Sequence, residues 1–498
     1  MTTKSISFVL VLTFVFISSF AQPSRWQQRV KYAMNIDVDA STNKFTGKQK
    51  LEYTNNSPDT LKFIWFHLWN NAYKNDRTAF AEQTIRKGST AFYFSDEDKK
   101  GYINKLDFKV DAIAAITEAH PKHIDIIKLI LPKPLPPKQS TTITTPFHVQ
   151  LPYNFSRGGH VGDNYQVTQW YPKPAVYERD GWHPMPYLDH CQLYSEFGNY
   201  ELEITLPEEY VVASTGILLD SAERVWLKSR GLQGNHGITS RTTDKKELRP
   251  FKTLHYRADS VHDIAWFASP NYKVQFDTTR LTDGSIKEIW HYHTNSFKDA
   301  WQHSIRHSKD ALHYYSERIG PYPYPVISVV ESADGPGGGM EYPMLSVIDP
   351  ISDTTDLRLV IIHEIGHNWF YGALASNERN YPWLDEGLNS FVEYLTEELW
   401  DNKFPVGKGP AYKIVDYMKL PKDQLEPIMT SSENIAQFGP NAYSKPATGL
   451  NILRETIMGR ENFDFAFREY CRRWAFKHPT PADFFRTMED ASAEDLDW

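Results

Sequence analysis

Two histidines four residues apart carry the first chemical signal in this chain. In Ile361-Ile362-His363-Glu364-Ile365-Gly366-His367-Asn368-Trp369, the i, i+4 spacing puts both imidazoles on one face of a helix. There they can hold a single ion through ring nitrogens. Glu364 lies about 100° further round the helix, too near His363 to be a convenient third ligand but well placed to act as a base on a water at the ion. With 18 histidines in 498 residues, such a pattern arises by chance in roughly one comparable chain in twenty. A distant carboxylate sharpens the signal. Glu386 follows His367 by nineteen residues, in Trp383-Leu384-Asp385-Glu386-Gly387. From a second helix it completes a two-His, one-Glu set whose fourth corner stays open for water, as catalytic zinc requires. Demanding a Glu at that one offset lowers the coincidence to well under about one percent. The same donor set suits iron or manganese with more open positions. Cys191 and Cys471 are too few and too far apart for a Cys-based metal site.

Composition narrows the field. Hydrophobic residues make up 41% and charged residues 23% of the chain, enough apolar surface to exclude a disordered protein. The net charge of −8 argues against nucleic acid as a partner. Residues 1–21 have the pattern of a secretory signal. Lys4 supplies a positive start, Ile6 to Ile17 an apolar run too short to span a bilayer, and Ser19-Phe20-Ala21 the small residues of a cleavage site. Cleavage near Ala21 predicts an exported protein with no stable membrane insertion.

The metal-binding helices need a frame, and the sequence predicts one in two parts. Period-2 alternation starts near Tyr32 with Met34, Ile36 and Val38, then Leu51 and Tyr53. Strand-like runs recur at Leu61–Trp69, Ile124–Leu131, Thr142–Val149, Tyr200–Leu206 and Ile264–Val274. Lys228 to Lys252 is charged and Gly-containing, and predicts a solvated loop. Near residue 290 the period changes: Asn295 or Ser296 can cap a helix with the stripe Trp301, Ile305, Leu312, Tyr315, Ile319. Gly320 and the proline-rich Pro321 to Pro325 end it, and Val326 to Val330 predicts a buried strand. The expected fold class is α+β and multidomain, with an N-terminal β domain over 22–277 and a mainly helical domain over 278–498.

With these motifs in place, the chain resembles the aminopeptidase N-like gluzincins, zinc metallopeptidases related to leukotriene hydrolase. It shares the His-Glu-x-x-His pattern, a Glu after eighteen intervening residues, Trp369, and the Trp-Leu-x-Glu-Gly context. The resemblance implies a β-rich, saddle-like N-terminal domain before a thermolysin-like catalytic domain, and a C-terminal part that relatives continue further. It implies one zinc ion on His363, His367 and Glu386, with Glu364 as general base. Glu393, two turns beyond Glu386, matches the family carboxylate that orients a ligating imidazole. Gly338-Gly339-Met340-Glu341-Tyr342 is similar to the Gly-x-Met-Glu-Asn motif, which binds substrate and gives Glu341 the free α-ammonium of a peptide. Asn441-Ala442-Tyr443-Ser444-Lys445-Pro446 is similar to Tyr-x-Lys-Gly, so Tyr443 takes the oxyanion-stabilising role. Gln169 in Thr168-Gln169-Trp170 stands where the family places an amide that helps hold the amine. The implied activity is removal of N-terminal residues from peptides. An endopeptidase or oligopeptidase, an epoxide hydrolase and a non-catalytic scaffold remain open at this stage. His183, His190, His291 and His293 match no ligand spacing and are expected in loops or core.

Overall fold

The computed structural model describes residues 25–189, 193–232, 250–294, 298–335, 338–400 and 409–496. The expected signal segment, His190, Cys191, and the capping residues Asn295 and Ser296 lie outside the described residues. The early alternation becomes strands. β1 (Arg29–Asp39) and β2 (Lys44–Thr54) bury every second residue, so Val30, Tyr32, Met34, Ile36 and Val38 face the core. β3 (Leu61–His67) pairs antiparallel with β4 (Ile126–Leu135), while β5 (Ser140–Gln150) returns alongside β2. β6 (Gly198–Pro207) runs parallel to β1 and antiparallel to β7 (Phe251–Val261). The long strands of this first sheet therefore run β7-β6-β1-β2-β5. β8 (Trp266–Ser269) belongs to a smaller sheet with Tyr165 to Val167 and Val211 to Ser214.

The stretch expected to be a loop from Lys228 starts inside a helix, α1 (Ser221–Leu232). Its single buried apolar residue, Leu227, gave no periodic stripe to detect. The helix expected around Trp301 is broken. Lys298–Trp301 forms one turn, and α2 (Ser304–Arg318) follows after a kink at residues 302 and 303.

The second sheet runs in the order β9 (Lys273–Arg280), β10 (Ile286–His293), β11 (Val326–Glu331), β13 (Leu345–Ile348), β12 (Gly339–Tyr342). It begins at Lys273, so the boundary expected between 277 and 278 falls within its first strand. Apolar alternation there looks the same in either sheet; only pairing with β10 assigns the strand to this one. Helix α3 (Thr354–Gly366) packs against the sheet and against α2, and α4 (Glu386–Glu397) packs against α3 and α2. Next come α5 (Lys445–Ile452), α6 (Arg460–Trp474) and α7 (Pro481–Ser492), the last opened by a capping box at Thr480 and Asp483.

The two halves are locked by polar contacts, some at the surface and some buried. Arg25 pairs with Asp483 and lies over the Trp474 ring, while His478 bridges Glu196 and the Ala375 carbonyl. His262 hydrogen-bonds the Tyr371 carbonyl at 2.8 Å. Burial pulls its pKa down to about 3, so it stays neutral and donates. Among the described residues, no helix is long and apolar enough to cross a membrane.

Candidate active site

Helix α3 delivers the two histidines. Asp353 caps it by accepting from the Thr355 and Asp356 N–H groups, and Leu357, Ile361, Ile362 and Ile365 bury its inner face. The Ser346 hydroxyl on β13 bonds the Glu364 carbonyl at 2.9 Å, fixing the helix against the sheet. Asn368 accepts from the Met344 N–H at 2.9 Å and pins the last turn. Glu386 is the first residue of α4, where exposed N–H groups favour a negative charge. The Gly387 that follows permits the close approach of Pro446, whose ring leaves no room for a Cβ.

These elements bring the expected ligands together. His363 Nε2 and His367 Nε2 are 3.0 Å apart, and Glu386 Oε2 lies 3.2 and 3.3 Å from them. Each ring's other nitrogen is engaged: His363 Nδ1 with Glu393 at 2.9 Å, His367 Nδ1 with Asp385 at 2.6 Å. With Nδ1–H groups donating outward, both Nε2 atoms present lone pairs inward. Two lone pairs and a carboxylate oxygen facing one another call for a cation. The electrostatics agree. Burial opposes charge on His363, yet hydrogen bonds from its ring to Glu386 and Glu393 outweigh it and raise the pKa to about 10. His367, also buried, is lifted well above its usual value by Asp385 and Glu341. Burial would raise Glu386, but the imidazoles hold it well below the ordinary carboxylate range. A field strong enough to keep protons on two buried imidazoles suits a dication in their place, so these donors fit zinc.

Around that trio stand the remaining expected residues. Glu364 is buried, its Oε2 has no hydrogen-bond partner, and burial pushes its pKa up to about 8. Gly339 packs against its carboxyl group. Glu341 lies on the edge strand β12, buried, with Oε1 unpartnered and its pKa raised by desolvation. Met340 is half-buried beside it and touches the aromatic cluster of Trp69, Tyr73, Phe80, Tyr187 and Tyr371. Gly338 donates its N–H to Asp349; Pro336 and Gly337 of the same motif lie outside the described residues. Tyr443 sits on a π-helical turn, Gly439–Ser444, a geometry frequent at functional sites. Its hydroxyl donates to Glu386 Oε1 at 2.6 Å, and its ring stacks on His363.

Gln169 makes its hydrogen bonds elsewhere. Its Nε2 donates to Asp263 at 2.5 Å and its Oε1 accepts from Lys173 at 2.8 Å, inside a buried network of the N-terminal half. Of the histidines expected in loops or core, His291 is buried between Ser304 and Ser308, and the half-buried His183 lies beside Glu178. Two positions escaped the sequence. Asp385 stood unassigned beside Glu386, although a carboxylate next to a ligand is a ready partner for a metal-bound imidazole. Asn389 donates to the His363 carbonyl at 2.8 Å and accepts from Tyr315, closing the helix α3 to α4 contact; nothing in its spacing signals this.

Comparison with known proteins agrees with this geometry. Residues 303–498 match the model described as the peptidase family M1 domain. That stretch is similar to the M1 peptidase family. Aminopeptidase M1-B of Oryza sativa subsp. japonica is 25% identical over 191 residues, 35% of this chain and 22% of the relative. Glutamyl aminopeptidase of Sus scrofa is 25% identical over 236 residues, 44% of this chain and 25% of the relative. The chain thus spans about a quarter of the length of these curated relatives. A crystal structure of an M1 zinc metallopeptidase from Deinococcus radiodurans superposes with a TM-score of 0.64 at 15% identity, covering 93% of this chain and 90% of that one. At that identity the likeness shows the fold: a β-rich half followed by a mainly helical half.

Proposed function

We propose that this chain is a zinc aminopeptidase that removes N-terminal residues from peptides. The observation that carries the reading is the convergence of His363 Nε2, His367 Nε2 and Glu386 Oε2 within 3.0 to 3.3 Å, with both Nδ1 atoms held by carboxylates. His363, His367 and Glu386 would hold one zinc ion. When bound, that ion supplies Lewis acidity, which acidifies water and polarises a carbonyl.

The protein side chains do the rest. Glu364 takes the proton of the attacking water at its free carboxylate oxygen and returns it to the departing amine. Tyr443 turns its hydroxyl from Glu386 to the developing oxyanion, where one aimed donor is worth about 3 to 4 kcal/mol. Strand β12 is the edge of its sheet and can pair with an extended peptide backbone. Glu341, within that strand, receives the free α-ammonium and so sets which bond faces Glu364. Export after cleavage near Ala21 belongs to the same proposal, supported by Lys4 and the apolar run behind it. N-terminal sequencing of secreted protein tests it, and a retained Met1 would refute it.

The activity test uses fluorogenic aminoacyl amides, free and N-acetylated, assayed with and without a chelator. Hydrolysis of the free amide alone, abolished by chelation and restored by zinc, is expected. Equal rates on both substrates would replace this reading with an endopeptidase. Chelator-resistant turnover would remove the metal from it.

A further inference from the structure

With Gln169 engaged by Asp263 and Lys173, the amine end of a substrate lacks the amide partner that the resemblance supplies. A carboxylate that no motif singled out interacts electrostatically with the metal ligands His367 and Glu386. Glu378, in the loop between α3 and α4, is fully buried. Its Oε2 accepts the Leu193 N–H at 3.2 Å, and its Oε1 has no hydrogen-bond partner. The neighbouring Arg379 does not fill the gap: its Nη2 donates to the Pro186 carbonyl, and its Nε and Nη1 reach no acceptor. A buried carboxylate oxygen without a donor is strongly unfavourable, so its position is explained best by a ligand that brings one.

The surroundings say which ligand. The charges that act on Glu378 are those of Asp385, Glu341, His367 and Glu386, all at the metal site. Glu341 and Asp385 each keep one oxygen unpartnered as well. Glu341, Asp385 and His367 offer ligand atoms within 4.8 Å of one another. Tyr371 adds a buried, unpartnered hydroxyl and feels both Glu378 and Glu341. Its backbone is held at φ +84°, a strained conformation for a bulky residue, by the His262 hydrogen bond. A second metal ion fits this pocket poorly, because Asp385 already occupies His367 Nδ1 at 2.6 Å. A primary ammonium fits it well: it carries three N–H donors and one positive charge, and needs no vacant imidazole.

We infer that Glu378 is a specificity-determining residue which, with Glu341, accepts hydrogen bonds from the free α-ammonium of the substrate in the place of Gln169. The inference rests on the aminopeptidase reading above.

The test compares two zinc-chelating ligands, leucine hydroxamate and its analogue lacking the amino group, on the zinc-loaded full chain and its Glu378→Gln variant. Gln keeps the size of the side chain and an acceptor for the Leu193 N–H, and removes the charge. The variant is expected to bind leucine hydroxamate about tenfold to a hundredfold more weakly, with the amine-free ligand unchanged and zinc content preserved. Equal weakening of both ligands would assign Glu378 a structural role and overturn the inference. An undiminished preference for the amine in the variant would overturn it too, while leaving the aminopeptidase reading intact. If the parent protein itself shows no preference for the amine, the aminopeptidase reading fails first. Should Glu378→Gln not fold, Glu378→Asp, which withdraws the same charge by one methylene, must show a reduced amine preference; a full preference there overturns the inference.

Discussion

Tyr443 and Glu386 are joined by a 2.6 Å hydrogen bond from the phenol to Oε1, while Glu386 Oε2 faces both imidazoles. One carboxylate thus serves the phenol through one oxygen and both imidazoles through the other, and the phenol waits beside the ion's position without contributing a ligand. Replacing Tyr443 by Phe removes the donor and keeps the ring that stacks on His363. Zinc content should be unchanged, and kcat should fall about 10²- to 10³-fold, as for the loss of one oxyanion donor. Metal analysis alongside steady-state kinetics checks this. A variant that loses zinc in proportion to activity would make Tyr443 a support for Glu386 only.

Asp385 and Glu393 hold the two imidazoles from behind in the same manner, at 2.6 and 2.9 Å. Asp385 is fully buried and Glu393 is partly open. Asp385→Asn and Glu393→Gln should each weaken zinc binding about 10- to 100-fold, read by competition with a chromogenic chelator. The Asp385 variant should lose more, since no water can replace its oxygen. Affinity unchanged in both variants would show that the imidazoles are oriented by the helix alone.

That contrast marks how far the sequence reached. His363, Glu364, His367 and Glu386 were legible because a helix fixes i, i+4 geometry and because few residue types ligate zinc. The β-rich half and its strands were legible from alternation, which burial of one sheet face enforces. Asp385, Asn389 and Glu378 were not, because their roles arise where α4, the loop before it and the N-terminal half meet. No local period encodes such contacts. Gln169 is a different case: the family resemblance suggested an amine-binding role, while Asp263, far away in sequence, takes its amide. The start of the second sheet was missed for a related reason, as strand pairing is not written in one strand.

Asp125 gives a pH-dependent stability that can be measured apart from catalysis. It is buried beneath the aromatic cluster, and its Oδ2 accepts the Tyr187 N–H at 2.7 Å. Burial pushes its pKa up to about 6, against the pull of that hydrogen bond and of Arg379. The folded state therefore binds a proton that the unfolded chain has released. Stability from this group is full below about pH 4 and is lost as pH rises through about 6, about 3 kcal/mol in all. Asp125→Asn keeps the acceptor and removes the charge. It should be more stable than the parent at pH 7, with the difference vanishing near pH 4. Denaturant midpoints at the two pH values decide it; a variant less stable at pH 7 would show that the ionised carboxylate is paired and favourable.

Gly339 offers a test of the general base that leaves the carboxylate itself in place. A Cβ on Gly339 would lie 2.5 Å from Glu364 Oε1 and 2.6 Å from its carboxyl carbon, closer than real contacts allow. The strand backbone at Gly339 is paired with Ile348, so the flexible partner, Glu364, must move. Its displacement leaves His363 and His367 untouched, because their Nδ1 atoms are anchored on α4 and its cap. Gly339→Ala should therefore keep its zinc and its thermal midpoint and lose about tenfold to a hundredfold in kcat, the usual penalty for a catalytic group misplaced by about 1 Å. Glu364→Gln, which removes the base, sets the floor for the comparison. If Gly339→Ala retains full kcat, the carboxylate works from a position other than the one that packs on β12, and proton transfer must be assigned to a rotated Glu364.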